Sequence, residues 1–161
     1  MVEDFDFVFA LHRAAMRAYI EPIWGWHEEW QAEYLRRKYE PQRYQIIRIE
    51  GQDAGVLVVE QRPDEVYLGL IELWPSHQGN GIGTDIITRL RDAAHASGRP
   101  LALHVLKTNT PARRLYERLG FETVEEEETR YRMRCAPPVT GNKSGRHRTT
   151  PSTAAPAEEI Q

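Results

Sequence analysis

Three glycines stand at alternate positions in "HQGNGIG", residues 77–83, three residues after the apolar run "VYLGLIEL" and two before the apolar-periodic stretch "IITRLRDAA". Inside a helix each glycine costs about 1 kcal/mol relative to alanine, so something in this bend needs bare backbone. A strand, a glycine turn and a helix in immediate succession present several backbone N–H groups at the positive end of a helix, with no Cβ atoms to keep an anion away. Phosphate suits such a place. Two familiar phosphate loops do not fit the spacing. No lysine stands in G-x-x-x-x-G-K register, and a G-x-G-x-x-G count begun at Gly79 ends on Thr84, while one begun at Gly81 ends on Ile86.

The elements around the bend can be placed by periodicity. Phe7, Val8, Leu11, Ala15 and Ala18 recur at helical spacing, with Asp4 or Asp6 available as cap. A second helical pattern runs from Trp26 through Trp30, Tyr34 and Leu35 and is expected to end at Pro41. "YQIIRI", "GVLVVE" and "VYLGLIEL" are rich in Val, Ile and Tyr and separated by turn-prone residues, which predicts a three-stranded antiparallel meander. After the glycine bend, Ile86, Ile87, Leu90, Ala93 and Ala94 make one face of a helix stopped by Gly98 and Pro100. "LALHVLK" reads as a strand, and "NTPARRLYERLGF" as a short helix with Thr110 as N-cap, Pro111 first inside and Gly120 closing it. In "FETV…TRYRMRC" the residues Thr129, Tyr131, Met133 and Cys135 alternate with arginines, as in a half-exposed strand at or near a sheet edge.

With these elements in place, Gln78, Gly81 and Gly83 form Q-x-x-G-x-G between a strand and a helix. This pattern resembles the pyrophosphate loop of the GNAT superfamily of acetyl-coenzyme A-dependent N-acetyltransferases. "NTPARRLYERLGFE" resembles the same superfamily's later short helix, in the expected order and after the expected strand, and the likeness covers Phe5 to about Cys135. It implies an α/β (α+β) fold with a mixed, mostly antiparallel central sheet, flanking helices and a splay between the superfamily's fourth and fifth strands, here "VYLGLIEL" and "LALHVLK". It implies acetyl-coenzyme A as cofactor. Amides near Leu73 and Trp74 would then hold the thioester end, and Gln78, Gly79, Asn80, Gly81, Ile82, Gly83 and Thr84 would hold the pyrophosphate. Asn109 matches a residue that bonds the cofactor arm, although an ordinary helix-entry asparagine reads the same. Tyr116 matches the general acid that protonates the leaving thiolate, against the alternative of a core tyrosine beside Leu115 and Leu119.

The general base is open. Glu72 is the first candidate, because a charged residue inside an apolar strand beside the splay needs a partner, yet strand alternation could aim it at the wrong face. The position where some relatives carry a catalytic glutamate falls near Tyr67. By the same resemblance the acceptor is expected between the first two helices, where Trp24, Trp26, Glu28 and Glu29 could wall in and attract a cationic amine; core packing and helix-start charge explain the same residues equally well. His27 reads as a solvated loop residue rather than a base. Relatives begin with a strand that is shortened or absent here, which would leave "YQIIRI" as an edge open to a partner chain, in a homodimer, or to the tail.

Bulk properties narrow the partners. A net charge of -3 over 161 residues lacks the basic excess expected of a nucleic-acid or anionic-membrane binder. One cysteine, Cys135, permits no internal disulfide. The acidic start and the absence of any apolar run near 20 residues predict a soluble, cytoplasmic chain with no membrane partner. No metal set is discernible. Residues 1–136 are expected to form one domain, and the Pro/Ser/Thr-rich 137–161 a disordered tail. The leading function is N-acetyl transfer to a primary amine of a small molecule. A protein or peptide N-acetyltransferase and a non-catalytic acyl-coenzyme A-binding module are the alternatives.

Overall fold

The structure, a computed structural model, describes residues 4–139. The chain runs α1 (Phe5–Trp24), α2 (Glu28–Lys38), β1 (Gln45–Ile49), β2 (Gln52–Gln61), β3 (Val66–Leu73), α3 (Ile82–Ala96), β4 (Leu101–Leu106), α4 (Thr110–Arg118), β5 (Glu122–Glu126) and β6 (Arg130–Cys135), with single 3-10 turns at Pro41–Arg43 and Pro75–His77. The expected tail lies, from residue 140 onward, outside the described residues.

The six strands form one sheet in the order β1-β2-β3-β4-β6-β5. All neighbours are antiparallel except β3 and β4, which are parallel and pair only at Val66↔Leu101, Tyr67↔Ala102 and Leu68↔Leu103. Beyond Leu68 the two strands part, which is the splay expected between these segments. The meander is present as predicted. The RYRMRC strand lies one place in from the edge, because "FETV" supplies its own strand, β5, outside it. Among the described residues no strand precedes α1, and β1 forms the opposite edge.

Two apolar clusters cover the two faces. Val66, Leu68, Leu101, Leu103 and Val105 pack with Ile87 of α3 and Tyr116 of α4. Val56, Val58, Leu70 and Tyr44 pack with Val8 and Leu11 of α1. Leu68 and Leu70 fall on opposite faces although simple alternation would place them together. The reason is a bulge: Val58 pairs with Leu70 and Val59 with Leu68, which leaves Gly69 as the extra residue on β3. Everything after Gly69 on β3 is therefore rotated toward α1.

Local signals explain most helix ends. Asp4 accepts a 3.0 Å hydrogen bond from Phe7 N–H and caps α1. α1 runs six residues past the predicted Ala18, through Pro22, because Ile20 is buried in that last stretch. α2 begins at Glu28 and ends at Lys38, so Trp26 lies ahead of it and Pro41 only opens the next turn. Trp30 and Tyr34 of the predicted stripe stack at 5.1 Å, with Trp30 outward at 52 % exposed and Tyr34 half-buried. The buried residue of α2 is Gln31. At α4 the cap is Asn109, whose side chain accepts from Ala112 N–H at 3.3 Å, rather than Thr110.

Candidate active site

The parting of β3 from β4 opens a cleft of about 430 Å³, within the range that small-molecule sites occupy. One end is the head of α3. Its N-cap is Gly81, in left-handed conformation at φ 78°, and no side chain caps the helix. The first helix N–H bonded within this turn is that of Asp85, to the Gly81 carbonyl at 3.0 Å; by helix geometry the amides of Ile82, Gly83 and Thr84 have no intrahelical acceptor and point along the axis. Gly83 is the informative residue. Its φ is ordinary, and a Cβ built there meets no atom within 4 Å, so neither conformation nor packing demands glycine. A side chain there would enter open space beside the cleft that Gly83 lines. Gln78 donates through Nε2 to the Leu73 carbonyl at 2.9 Å, tying the bend back to the end of β3. Gly79, Gly81, Ile82, Gly83 and Thr84 line the cleft, whereas Asn80 is exposed and does not. This array of free amides fits a diphosphate.

At the other end, Trp74 N–H donates to the Ala54 carbonyl at 2.9 Å, so the amide expected to serve the thioester is already committed to β2. Antiparallel ladders alternate, so with Trp74 and Glu72 facing β2, the N–H groups of Leu73 and Ile71 turn toward the splay. Leu73 keeps its expected place and Ile71 joins it. The Trp74 ring packs edge-on against Phe7, centroids 6.1 Å apart.

Glu72 is 3 % exposed and accepts a 2.7 Å hydrogen bond at Oε1 from His12 Nδ1, sixty residues earlier on α1. Its Oε2 is buried without a partner among the described residues. The Gly69 bulge is what turns Glu72 toward α1, resolving the question of face. Gly55 helps to fix it: a Cβ there would stand 2.1 Å from the Glu72 carbonyl oxygen, so only glycine lets β2 come this close. Burial pulls the His12 imidazole down, but the charge of Glu72 and the hydrogen bond to it outweigh that, and its pKa stands above the usual histidine value. His12 was not picked out in the sequence. Its signal was there: it follows Val8 by four residues, on the helix stripe that faces inward.

Tyr116, from α4, is buried beside Phe121 and lines the cleft. Burial alone pushes its phenol up to about 12, so it holds its proton at any physiological pH. Asn109 also lines the cleft, with its side-chain oxygen engaged as the α4 cap. Ala15, Met16 and Tyr19 bring α1 into the wall, and Arg118 adds a guanidinium.

The residues expected to hold the acceptor are not in this lining. Trp24, Glu28 and Glu29 are exposed. Glu28 accepts from the Trp26 indole at 2.6 Å and pairs with Arg13, and the indole bond first and Arg13 after it hold its carboxyl below the ordinary range. Its charge is spent locally. Trp26 lies 6.1 Å from the His12 ring, which puts it beside the Glu72 pair rather than in the cleft. His27 is exposed, as expected. Tyr67 is buried and bonds His104 at 2.6 Å. His104 in turn lies 3.6 Å from Glu127. Among the described residues there is no cluster of metal-ligating side chains and no helix long and apolar enough to cross a membrane.

Comparison with known proteins agrees with this geometry. The family model described as the acetyltransferase (GNAT) family matches residues 7–121. An N-acetyltransferase, PaiA, from Thermoplasma acidophilum, solved in complex with coenzyme A, superposes with a TM-score of 0.69 at 15% identity, over 83% of this chain and 93% of that one. The ribosomal-protein-S18-alanine N-acetyltransferase of Escherichia coli gives 0.58 at 22% identity, over 88% and 92%. An acetyltransferase from Thermus thermophilus gives 0.62 at 18% identity, over 83% and 91%. At such identities the structural likeness speaks for the fold, and the family match, spanning well over half the chain, carries the assignment. The chain belongs to the acetyltransferase (GNAT) family, whose acetyl donor is acetyl-coenzyme A.

Proposed function

We propose that residues 1–136 form a single acetyltransferase domain that moves an acetyl group from acetyl-coenzyme A to a primary amine of a small molecule. The observation that carries this reading is Gly83: a glycine with ordinary φ and empty space at its Cβ, on an uncapped helix start that opens into the cleft reaching Glu72 and Tyr116.

The thioester, when bound, supplies an activated acyl carbon. The chain supplies the rest. The amides of Gly81, Ile82, Gly83 and Thr84 would hold the diphosphate, with the helix dipole behind them. The amides of Ile71 and Leu73, freed by the splay, would donate to the acyl oxygen without reorganisation, because the strand already holds them. Tyr116, kept neutral by burial, is the acid for the departing sulfur. Glu72 Oε2 accepts the proton that an alkyl ammonium, with a pKa of about 10, must lose before it can attack.

A compact acceptor is favoured by the space on the α1 side of Glu72, which is small and walled by Val8, Tyr44 and Leu70 rather than open to the surface as a groove for a polypeptide. Acetyl-coenzyme A consumption against a library of primary amines, with N-terminal peptides as a second arm and calorimetric titration of coenzyme A as control, tests the reading. Turnover with small amines is expected. Turnover with peptides alone would move the assignment to a peptide acetyltransferase, and binding without any transfer would reduce the chain to an acyl-coenzyme A-binding module.

A further inference from the structure

We infer that His12 is the positioning residue for Glu72: its Nδ1–H ties down Oε1 so that Oε2 alone is presented to the acceptor ammonium, and its own charge state decides whether Oε2 can take the proton. The inference rests on the acetyl-transfer reading of the cleft and adds to it a residue from α1.

The geometry comes first. The bond is 2.7 Å, and both side chains are buried. Two features of the fold bring them together: the inward stripe of α1, on which His12 follows Val8, and the Gly69 bulge that rotates the end of β3 toward that helix. A buried carboxylate oxygen left without a partner is destabilising, and Glu72 Oε2 is such an oxygen among the described residues. Glu72 lines both the main cleft and the small cavity on the α1 side, with Oε2 buried between them. An ammonium is a donor suited to it. Were His12 only a structural partner for a buried charge, nothing would require one oxygen to be satisfied and the other left bare.

The charge argument follows from what faces His12. Glu72 comes from β3, Tyr44 from the turn before β1, Gln31, Tyr34 and Lys38 from α2, and the Trp26 ring lies 6.1 Å from the imidazole. Tyr44 is pushed up to about 12, first by burial and then by the charge of Glu72, so it stays neutral. Lys38 lies 4.7 Å from the Tyr34 ring centre, on the α2 side of the cavity. Glu72 is thus the anion against which His12 titrates. A protonated imidazole places a positive charge beside Oε1, repelling the cationic acceptor and opposing transfer of its proton. A neutral imidazole with hydrogen on Nδ1 keeps the same bond and removes the repulsion. The proton ledger then closes. Glu72 Oε2 gains an O–H as one N–H of the ammonium breaks, and the freed lone pair forms the C–N bond as the C–S bond breaks. Tyr116 gives its proton to the sulfur and regains one from the acylated nitrogen through solvent, and Glu72 returns its proton to water.

Two measurements test this. In the first, the His12 imidazole is titrated by NMR in the intact protein without cofactor, in wild type and in Glu72→Gln. A value above that of a free histidine is expected, falling in the variant; a value unchanged by Glu72→Gln would overturn the inference without reference to activity. In the second, the pH dependence of kcat/KM is compared for wild type, His12→Asn and His12→Ala, using any amine that supports turnover. The asparagine amide can donate to Oε1 but cannot titrate. His12→Asn should keep turnover within about tenfold at alkaline pH and lose the inflection at the His12 value, while His12→Ala should lose about a hundredfold with coenzyme A affinity intact. A wild-type inflection persisting in His12→Asn, or wild-type turnover in His12→Ala, would overturn the inference alone. Absence of turnover in wild type with every amine would overturn the acetyl-transfer reading and this inference with it.

Discussion

At the α3 end of the cleft the lining is a helix start that no side chain caps, with bare glycine at 81 and 83. At the far end it is buried side chains: Glu72 held by His12, with Tyr116 shielded on the facing helix. The two ends face different demands. A diphosphate carries charge that many donors can share, and a backbone nest supplies several donors without side-chain entropy to lose. Proton transfer needs one group in one charge state, which only burial and a specific neighbour can arrange. The first end should therefore fail by obstruction and the second by loss of a proton path.

The largest effect separates the ends most sharply. Gly81→Val places a branched side chain in the nest and forces it to adopt a φ of 78°; a roughly thousandfold loss of coenzyme A affinity is expected by calorimetry, with backbone strain of about 1–3 kcal/mol in the unfolding free energy. Tyr116→Phe should do the reverse, lowering kcat about a hundredfold while coenzyme A binds as before. Equal losses of binding in both would erase the distinction.

Smaller effects sharpen it. Asn109→Ala removes the α4 cap and should cost about 1 kcal/mol in urea unfolding, a stability effect at a helix start that, unlike α3, completes itself with its own side chain. The His12–Glu72 bond gives the second end a pH signature. The pKa of His12 is raised in the folded chain, so the stability it contributes is fully present below about 6.5, the ordinary histidine value, and is lost as pH rises through the raised one. Unfolding measured from pH 6 upward should show this decline in wild type and a flatter course in Glu72→Gln. The smallest effect is expected at Trp30→Ser, on the outward stripe of α2, within about 0.5 kcal/mol.

The same contrast decides how much could be read from the sequence. The main-chain end was legible, because glycine is itself the signal and its elements are contiguous from β3 through α3. The side-chain end was legible only by halves. Tyr116 and Glu72 could be named from their local segments, but the partner of Glu72 sits sixty residues away, and the strand's face depends on a one-residue bulge at Gly69 that no periodicity announces. The Trp74 amide was hidden for a related reason: which amides face the splay depends on the β2 register, and its own is bonded to the Ala54 carbonyl. The aromatic stripe of α2 misled at its first member, because Trp30 stacks on Tyr34 from the solvent side and Gln31 takes the buried position.

Gly83→Leu tests the central claim most directly. Leucine is a far better helix former than glycine, and its Cβ meets nothing within 4 Å, so the folded protein should be as stable as wild type or more so, by up to about 0.8 kcal/mol. Titrated with coenzyme A, this equally stable protein should bind at least about tenfold more weakly, since the side chain enters the open space beside the cleft that Gly83 lines. Wild-type affinity in that variant would contradict the account, because it would show that the diphosphate is held somewhere other than the bare backbone at the head of α3.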